Sequence, residues 1–371
     1  MAATREQVLQ ALDHVIEPER AKSIVRLDMV KNLKVESGRV AFTVVLKSPG
    51  APFAKEVEGR CTEAIHEALG SDVRVEVDTD SEMIALGDSL EVSGSGSPSR
   101  PAPGVQNLIA VASGKGGVGK STVAVNLALA LKEEGYAVGL VDTDIYGPSI
   151  PTMFGIKDEK PRVGEGRKII PLEKYGIKLL SMGFLVDASQ AVIWRGPMVS
   201  SAVRQFLGDA EWGDLDYLVL DLPPGTGDIQ LTIVQTVPLT GAVIVSTPQE
   251  VALADARKGV GMFGNVNVPV LGIVENMAYF APPDLPDRKY YLFGRGGAKK
   301  LAGELAVPFL GEVPLEQDVR EGGDDGRPVI LAEPESAAAQ AFRQIARETA
   351  QQVAIRNAEQ PPTQPVEILH R

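Results

Sequence analysis

Nine consecutive residues, Gly114, Lys115, Gly116, Gly117, Val118, Gly119, Lys120, Ser121 and Thr122, have the types and order needed to hold a polyphosphate. Glycines leave the backbone free to turn several N–H groups toward one anion, and a helix starting after the turn adds its positive end. Lys120 is spaced to reach the β- and γ-phosphates, and the Ser121 hydroxyl to hold Mg²⁺. The flanks agree with this reading. Leu108-Ile109-Ala110-Val111-Ala112 reads as a strand, and Val123 to Glu134 as a helix. A chance glycine-rich turn would lack both the spacing and the flanks. Lys115 comes too early in the loop to be the phosphate lysine and needs a role of its own.

Two acidic clusters stand where a parallel sheet places its chemistry. Asp142-Thr143-Asp144 follows the apolar run Ala137 to Val141, and Asp221-Leu222-Pro223-Pro224-Gly225-Thr226-Gly227-Asp228 follows Leu218-Val219-Leu220. Of Asp142 and Asp144, one can hold a magnesium-bound water and the other orient an attacking water. An apolar strand ending in Asp221 is the second metal-side element of a P-loop nucleotide hydrolase, and the Pro-Pro-Gly-Thr-Gly after it can reposition with the γ-phosphate. The competing reading is that both clusters merely cap helices. Asn276, after Gly272-Ile273-Val274, carries an amide suited to an adenine edge, or else serves as a turn residue. Thr247-Pro248-Gln249 could line the same base pocket.

The elements that must position these residues are legible as near-continuous apolar runs: Ala137 to Val141, Ile177 to Met182, Tyr217 to Leu222, Ala242 to Ser246 and Val270 to Val274. Such runs mark strands buried on both faces of a parallel sheet, with ligands at their carboxyl ends. Gly311-Glu312-Val313-Pro314 adds a last strand, and Glu335 to Val353 a helix. The expected fold is therefore α/β, a P-loop NTPase with a mostly parallel sheet between helix layers, over residues 107–356. A small α+β domain precedes it over residues 1–90. Its helices run over residues 4–16 and Phe53 to Leu69, and its strands over Ser23 to Val35, Arg39 to Leu46 and Val73 to Val77, with a loop at Ser48 to Pro52. A Ser/Gly/Pro linker spans 91–106 and a polar, proline-containing tail, read as disordered, spans 357–371.

Composition narrows the function. With 371 residues the chain holds roughly two or three domains, and its net charge of −12 argues against nucleic acid and an anionic membrane as partners. No apolar run approaches the roughly 18 residues that span a bilayer. The N-terminus lacks the layout of a secretory leader. The single cysteine, Cys61, excludes an internal disulfide and fits a reducing cytoplasm. It lies on the apolar face of its helix and reads as a small core residue, while His14 and His66 have no neighbouring ligand pattern.

The phosphate loop together with Asp142-Thr143-Asp144 resembles the deviant-Walker (SIMIBI-class) ATPases. Asp142 to Pro151, Trp194-Arg195-Gly196-Pro197-Met198, Asp221 to Asp228 and Ile273-Val274-Glu275-Asn276-Met277 resemble the Mrp/ApbC family of iron–sulfur cluster carriers, from about residue 105 to 350. Ser23 to Lys31 and Phe42 to Gly50 resemble the small PaaD/SufT-like domains of iron–sulfur assembly proteins. The resemblance implies a homodimer that binds and hydrolyses ATP, with Lys115 contacting nucleotide across the interface. It implies Asp144 for orienting water, Asp142 and Asp221 for the Mg²⁺ side, and client apoproteins or assembly proteins as partners. It also implies an iron–sulfur cluster, and here the chain departs from the pattern it resembles. The Cys-x-x-Cys expected after Met277 is replaced by Ala278 to Gly294, which contains no cysteine, and the thiol position after Pro49-Gly50 is Ala51. A dimer of this chain has two cysteines, so four-cysteine ligation by the dimer alone is impossible. Asp284, Asp287, Tyr290 and Tyr291 are the nearest other donors, and they also read as an ordinary surface loop. An ATP-switched adaptor that holds no cluster is the alternative. A small-molecule kinase or ligase on the same scaffold is weaker, for want of an acceptor motif.

Overall fold

The structure, a computed structural model, describes residues 4–17, 22–27, 29–36, 39–46, 54–70, 73–81, 102–145, 147–164, 168–184, 196–285 and 287–359. The chain divides into two compact units, Met1–Ser97 and Pro98–Arg371. The loop at 48–52, most of the linker, Trp194 and Arg195, and residues 360–371 lie outside the described residues.

In the first unit, α1 (Arg5–Leu12) starts in a capping box: the Thr4 hydroxyl accepts from the Gln7 N–H, and the Gln7 side chain accepts from the Thr4 N–H. β1 (Ile16–Glu17) pairs with β2 (Lys22–Ser23). β3 (Val30–Glu36), β4 (Arg39–Leu46) and β5 (Arg74–Ser81) make a three-stranded sheet, with α2 (Ala54–Leu69) connecting β4 to β5. Ser23 to Val35 is therefore not one strand. The Ser23 hydroxyl accepts from the N–H groups of Val25 and Arg26, and the Leu27 N–H bonds the Ser23 carbonyl, so the chain turns where its composition reads as extended. Cys61 lies in the core with Val8, Leu12, Ile24, Phe42, Val57 and Ile65, and burial pushes its thiol up to about 12. His14 and His66 each engage a backbone carbonyl, of Gln10 and Val73.

The second unit runs β6 (Val105–Ser113), α3 (Lys120–Glu133), β7 (Val138–Asp142), α4 (Ile150–Met153), β8 (Arg162–Val163), β9 (Ile169–Ile170), β10 (Leu172–Lys174), β11 (Ile177–Ser181), α5 (Gly196–Gly208), β12 (Leu215–Asp221), α6 (Asp228–Thr236), β13 (Gly241–Ser246), α7 (Glu250–Asn265), β14 (Val270–Glu275), α8 (Gly297–Leu305), β15 (Phe309–Glu312), α9 (Gln317–Asp324), α10 (Val329–Ala332) and α11 (Ala337–Glu359). Eight strands form one sheet in the order β10-β11-β7-β12-β6-β13-β14-β15, parallel except for β10 at the edge. Side chains alternate between two cores. Tyr217 and Val219 of β12 join Leu127, Leu131 and Phe342 on one face, while Leu218 and Leu220 join Val203, Phe206 and Phe263 on the other. This two-sided burial is why the strands read as unbroken apolar runs. α11 continues to Glu359, three residues into the stretch read as tail.

Candidate nucleotide site

The phosphate loop leaves β6 at the middle of the sheet and enters α3 at Lys120. Gly117 and Gly119 both have φ of 81°, the left-handed region that glycine adopts without strain. Crowding fixes two positions as glycine. A Cβ on Gly119 would lie 2.1 Å from Asn276 Nδ2, and one on Gly114 would lie 2.3 Å from the carbonyl carbon and oxygen of Asp255 in α7. Val118 is buried, and the Ser113 hydroxyl donates to the Lys115 carbonyl across the turn at 2.9 Å. The Lys115 side chain is half-buried and, among the described residues, makes no hydrogen bond or ion pair. Gly116 and Ser121 to Thr122 complete the turn and the first helical residues.

Lys120 is 6% exposed and points into the acidic strand ends. Its Nζ donates to Asp221 Oδ1 at 2.6 Å, lies 3.2 Å from Ser121 Oγ, and stands 3.8 Å from Asp144 Oδ2. The parallel register sets Asp221 of β12 directly beside Asp142 of β7. Thr143 then clasps the two strands, since both its N–H and its hydroxyl donate to the Asp221 carbonyl, at 3.0 and 2.8 Å.

The carboxylates differ in what they have left to offer. Asp142 is wholly buried; its Oδ1 accepts from the Asp144 N–H at 3.0 Å, and its Oδ2 accepts from the Ile150 N–H at 3.2 Å and the Ser181 hydroxyl at 3.0 Å. It braces the loop that carries Asp144. Asp144 Oδ1 and Asp221 Oδ2 are buried and, among the described residues, have no hydrogen-bond partner. Buried carboxylate oxygens without partners are costly unless a cation or an ordered water completes them. Asp221 Oδ2 and Ser121 Oγ therefore fit Mg²⁺, and Asp144 Oδ1 fits a water.

Burial pushes the Asp142 carboxyl up to about 8, with the neighbouring Asp221 charge adding to the effect. Burial also raises Asp221, opposed by Lys120. A carboxylate titrating near 3.8 unfolded and about 8 folded binds its proton in the native state across that window. Stability then falls as pH rises through it. Thermal unfolding of the nucleotide-free protein in a chelating buffer is expected to show a lower Tm at pH 8 than at pH 5. Asp142→Asn should flatten that slope; an unchanged slope would count against Asp142 as its source.

Asn276 sits against the loop at Gly119, and its Nδ2 donates to the Val118 carbonyl at 2.9 Å. It ties β14 to the phosphate loop, a role its sequence position does not reveal. Gly119, Thr122, Pro148, Asn276, Leu315 and Arg320 border a cleft of about 580 Å³. Thr247-Pro248-Gln249 does not border it. The Pro248 carbonyl packs at Gly297 instead, and the Thr247 hydroxyl donates to Gln249 Oε1. Glu275, not singled out from sequence, is fully buried and accepts from the N–H groups of Gly296 and Ala298 at the start of α8, 3.2 and 2.6 Å away. A lone acid ending an apolar strand, with a Gly-Gly helix start downstream, is the signal that marks it. Ser181 and Thr143 carried no comparable signal.

A phosphate loop on a central parallel strand, with acidic ends on the next two strands to one side of it, β12 and β7, defines a P-loop NTPase. Solved structures share this fold. The cell-division ATPase MinD of Pyrococcus furiosus matches at TM-score 0.51 and 22% identity, over 66% of this chain and 98% of that one. A nucleotide-binding protein of Archaeoglobus fulgidus in complex with ADP matches at TM-score 0.56 and 42% identity, over 64% of this chain and 92% of that one. Within the class, residues 104–350 match the NUBPL iron-transfer P-loop NTPase family, and residues 5–77 match the iron–sulfur cluster assembly protein family. This chain belongs to the NUBPL iron-transfer P-loop NTPase family. The iron–sulfur cluster carrier protein of Synechocystis sp. is 50% identical over 95% of this chain and 98% of its own length. The iron–sulfur cluster transfer protein NUBPL of Dictyostelium discoideum is 52% identical over 68% of this chain and 79% of its own.

Proposed function

We propose that this chain is an ATP-hydrolysing switch that handles iron–sulfur clusters as cargo for client apoproteins, working as a homodimer in the reducing cytoplasm. The observation that carries the ATPase half is Lys120 held between Asp221 and Asp144, with one oxygen of each carboxylate unpartnered. On nucleotide binding, Lys120 moves from Asp221 to the β- and γ-phosphates. That movement frees Asp221 to serve, with Ser121, the side where Mg²⁺ neutralises phosphate charge. Asp144 orients the attacking water, and Asp142 holds the Asp144 backbone in place. Asn276 fastens the loop at the base side. Lys115, whose side chain makes no hydrogen bond or ion pair among the described residues, reaches nucleotide in the partner subunit. Domain limits of 1–90, 91–106, 107–356 and 357–371 remain our assignment.

The cluster half follows from family membership and the names of the relatives. Cys61 is buried, and its thiol is pushed up to about 12, so it supplies no thiolate at neutral pH. Thiolates for the cargo therefore come from the client or from a small thiol. The same observation favours a second reading, an adaptor that drives transfer between partners and never holds the cluster.

The test is anaerobic transfer of a thiol-delivered cluster to a cysteine-bearing apoprotein, followed by absorbance with and without ATP. ATP-dependent transfer that Lys115→Ala loses, together with loss of the ATP-analogue dimer in light scattering, is the expected result. Transfer indifferent to ATP would overturn the reading, and an unchanged dimer would remove the cross-subunit role of Lys115.

A further inference from the structure

The stretch between Met277 and α8 has an organisation that the nucleotide site does not use. Phe280 and Tyr290 exchange both backbone hydrogen bonds at 2.8 Å, folding residues 278–285 and 287–296 into a pinned excursion. Its other anchors are the Leu315 N–H on the Tyr279 carbonyl at 2.7 Å and the Ala278 N–H on the Val313 carbonyl at 2.9 Å. Glu275 holds the excursion's far end through Gly296 and Ala298. A segment tied at this many points presents a fixed surface rather than a loose loop.

That surface is apolar and cationic at once. Leu285 is 49% exposed, Leu292 61% and Tyr290 37%. Beside them Phe280, Leu292, Leu315 and Arg320 border a hollow of about 330 Å³. Lys289 Nζ stands 3.8 Å from the centre of the Tyr279 ring, Arg288 5.2 Å from that of Tyr290, and Arg295 4.8 Å from that of Tyr291. Among the described residues, none of these three cations pairs with a carboxylate. Residues 278–300 hold five basic and two acidic side chains in a chain of net charge −12. A local positive field on an acidic protein steers an oppositely charged partner segment and repels the same face of a second copy.

We infer that this face docks an acidic segment of a client protein, with one apolar side chain of that segment entering the hollow between Phe280, Leu292 and Leu315. Guanidinium and ammonium groups stacked on tyrosine are held in position for carboxylates without being neutralised beforehand. Leu315, Glu316 and Arg320 border both this hollow and the nucleotide cleft, so one wall separates the docked segment from the nucleotide. Identifying the partner as a client apoprotein rests on the proposed function; the surface and its charge do not.

A short fluorescent peptide alternating Glu and Leu, titrated with the full chain and read by anisotropy, tests the inference. The expected result is saturable binding that weakens as salt rises. A peptide alternating Lys and Leu should not bind. The combined Arg288→Glu, Lys289→Glu and Arg295→Glu variant should lose at least about tenfold in affinity, and Leu292→Asp a similar amount. Each variant should keep ATP turnover within about twofold, which shows that the fold is intact; a variant that loses turnover is replaced by Arg288→Gln, Lys289→Gln and Arg295→Gln, expected to lose affinity in the same direction. No peptide binding, equal binding by the variants, or binding of poly-uridine RNA in place of the peptide would each overturn it. Docking intact with ATP-independent transfer would sink the proposed function alone, and the reverse pattern the docking surface alone.

Discussion

ATP turnover by Lys120→Ala is expected to fall by about 10²–10³-fold, the loss typical of removing one preorganised group from a developing charge. The side chain is 6% exposed and already lies among the acidic strand ends, so its charge is focused where phosphate oxygens and Mg²⁺ must be accommodated. The same replacement leaves Asp221 buried without its cation. Breaking a buried pair from one side costs about 3–5 kcal/mol. The two effects separate by pH. Without Lys120 the Asp221 carboxyl rises further, so the variant regains stability as pH falls and the carboxyl is protonated, whereas its turnover does not return. Phosphate release at saturating ATP, measured where circular dichroism shows the variant folded, gives the catalytic loss free of unfolding. Turnover within tenfold of the parent would remove Lys120 from the phosphate site.

Which parts of this site could be read from sequence follows from where the information is local. The strand–loop–helix at Gly114 to Thr122 is contiguous, and Gly117 and Gly119 answer a left-handed backbone demand local to the loop, whereas Gly114 answers crowding by Asp255 from distant α7. The strands were legible because both faces of the sheet are apolar, so no polar residue interrupts Leu218-Val219-Leu220. Strand order was not legible. It depends on which runs pair across long separations, and only that pairing sets Asp221 beside Asp142 and Thr143 under both. The division of labour between Asp142 and Asp144 was hidden for the same reason. Ser181 and the Ile150 N–H, which occupy Asp142, arrive from β11 and α4. Asn276 shows the limit most plainly, since the amide suited to an adenine edge is bonded to the Val118 carbonyl. Ser23 is the opposite case: a local hydroxyl overrode an extended-looking composition.

Asp144→Asn is expected to lower turnover by about 10²–10⁴-fold, the range of a positioned acid–base group, while leaving ATP affinity within about threefold. The two effects divide because Asn keeps the shape and the backbone N–H that Asp142 Oδ1 accepts, and loses only the acceptor charge at Oδ1. That oxygen is buried and, among the described residues, unpartnered, while the Oδ2 of the same carboxylate stands 3.8 Å from Lys120 Nζ, so Oδ1 is the atom open to receive a proton from a water set in line with the γ-phosphate. Asp142 cannot take that place without giving up Asp144, Ile150 and Ser181 as donors. Asp142→Asn should therefore act first on stability and its pH slope, and Asp144→Asn on turnover with ATP retained. On the proposed reading, in which nucleotide closes two subunits, a variant that binds ATP and does not hydrolyse it should also accumulate the dimer. Turnover measured beside binding of a fluorescent ATP analogue distinguishes the two aspartates. If Asp142→Asn abolishes turnover while Asp144→Asn leaves it unchanged, the assignment must be exchanged, and the unpartnered oxygen of Asp144 must belong to the metal.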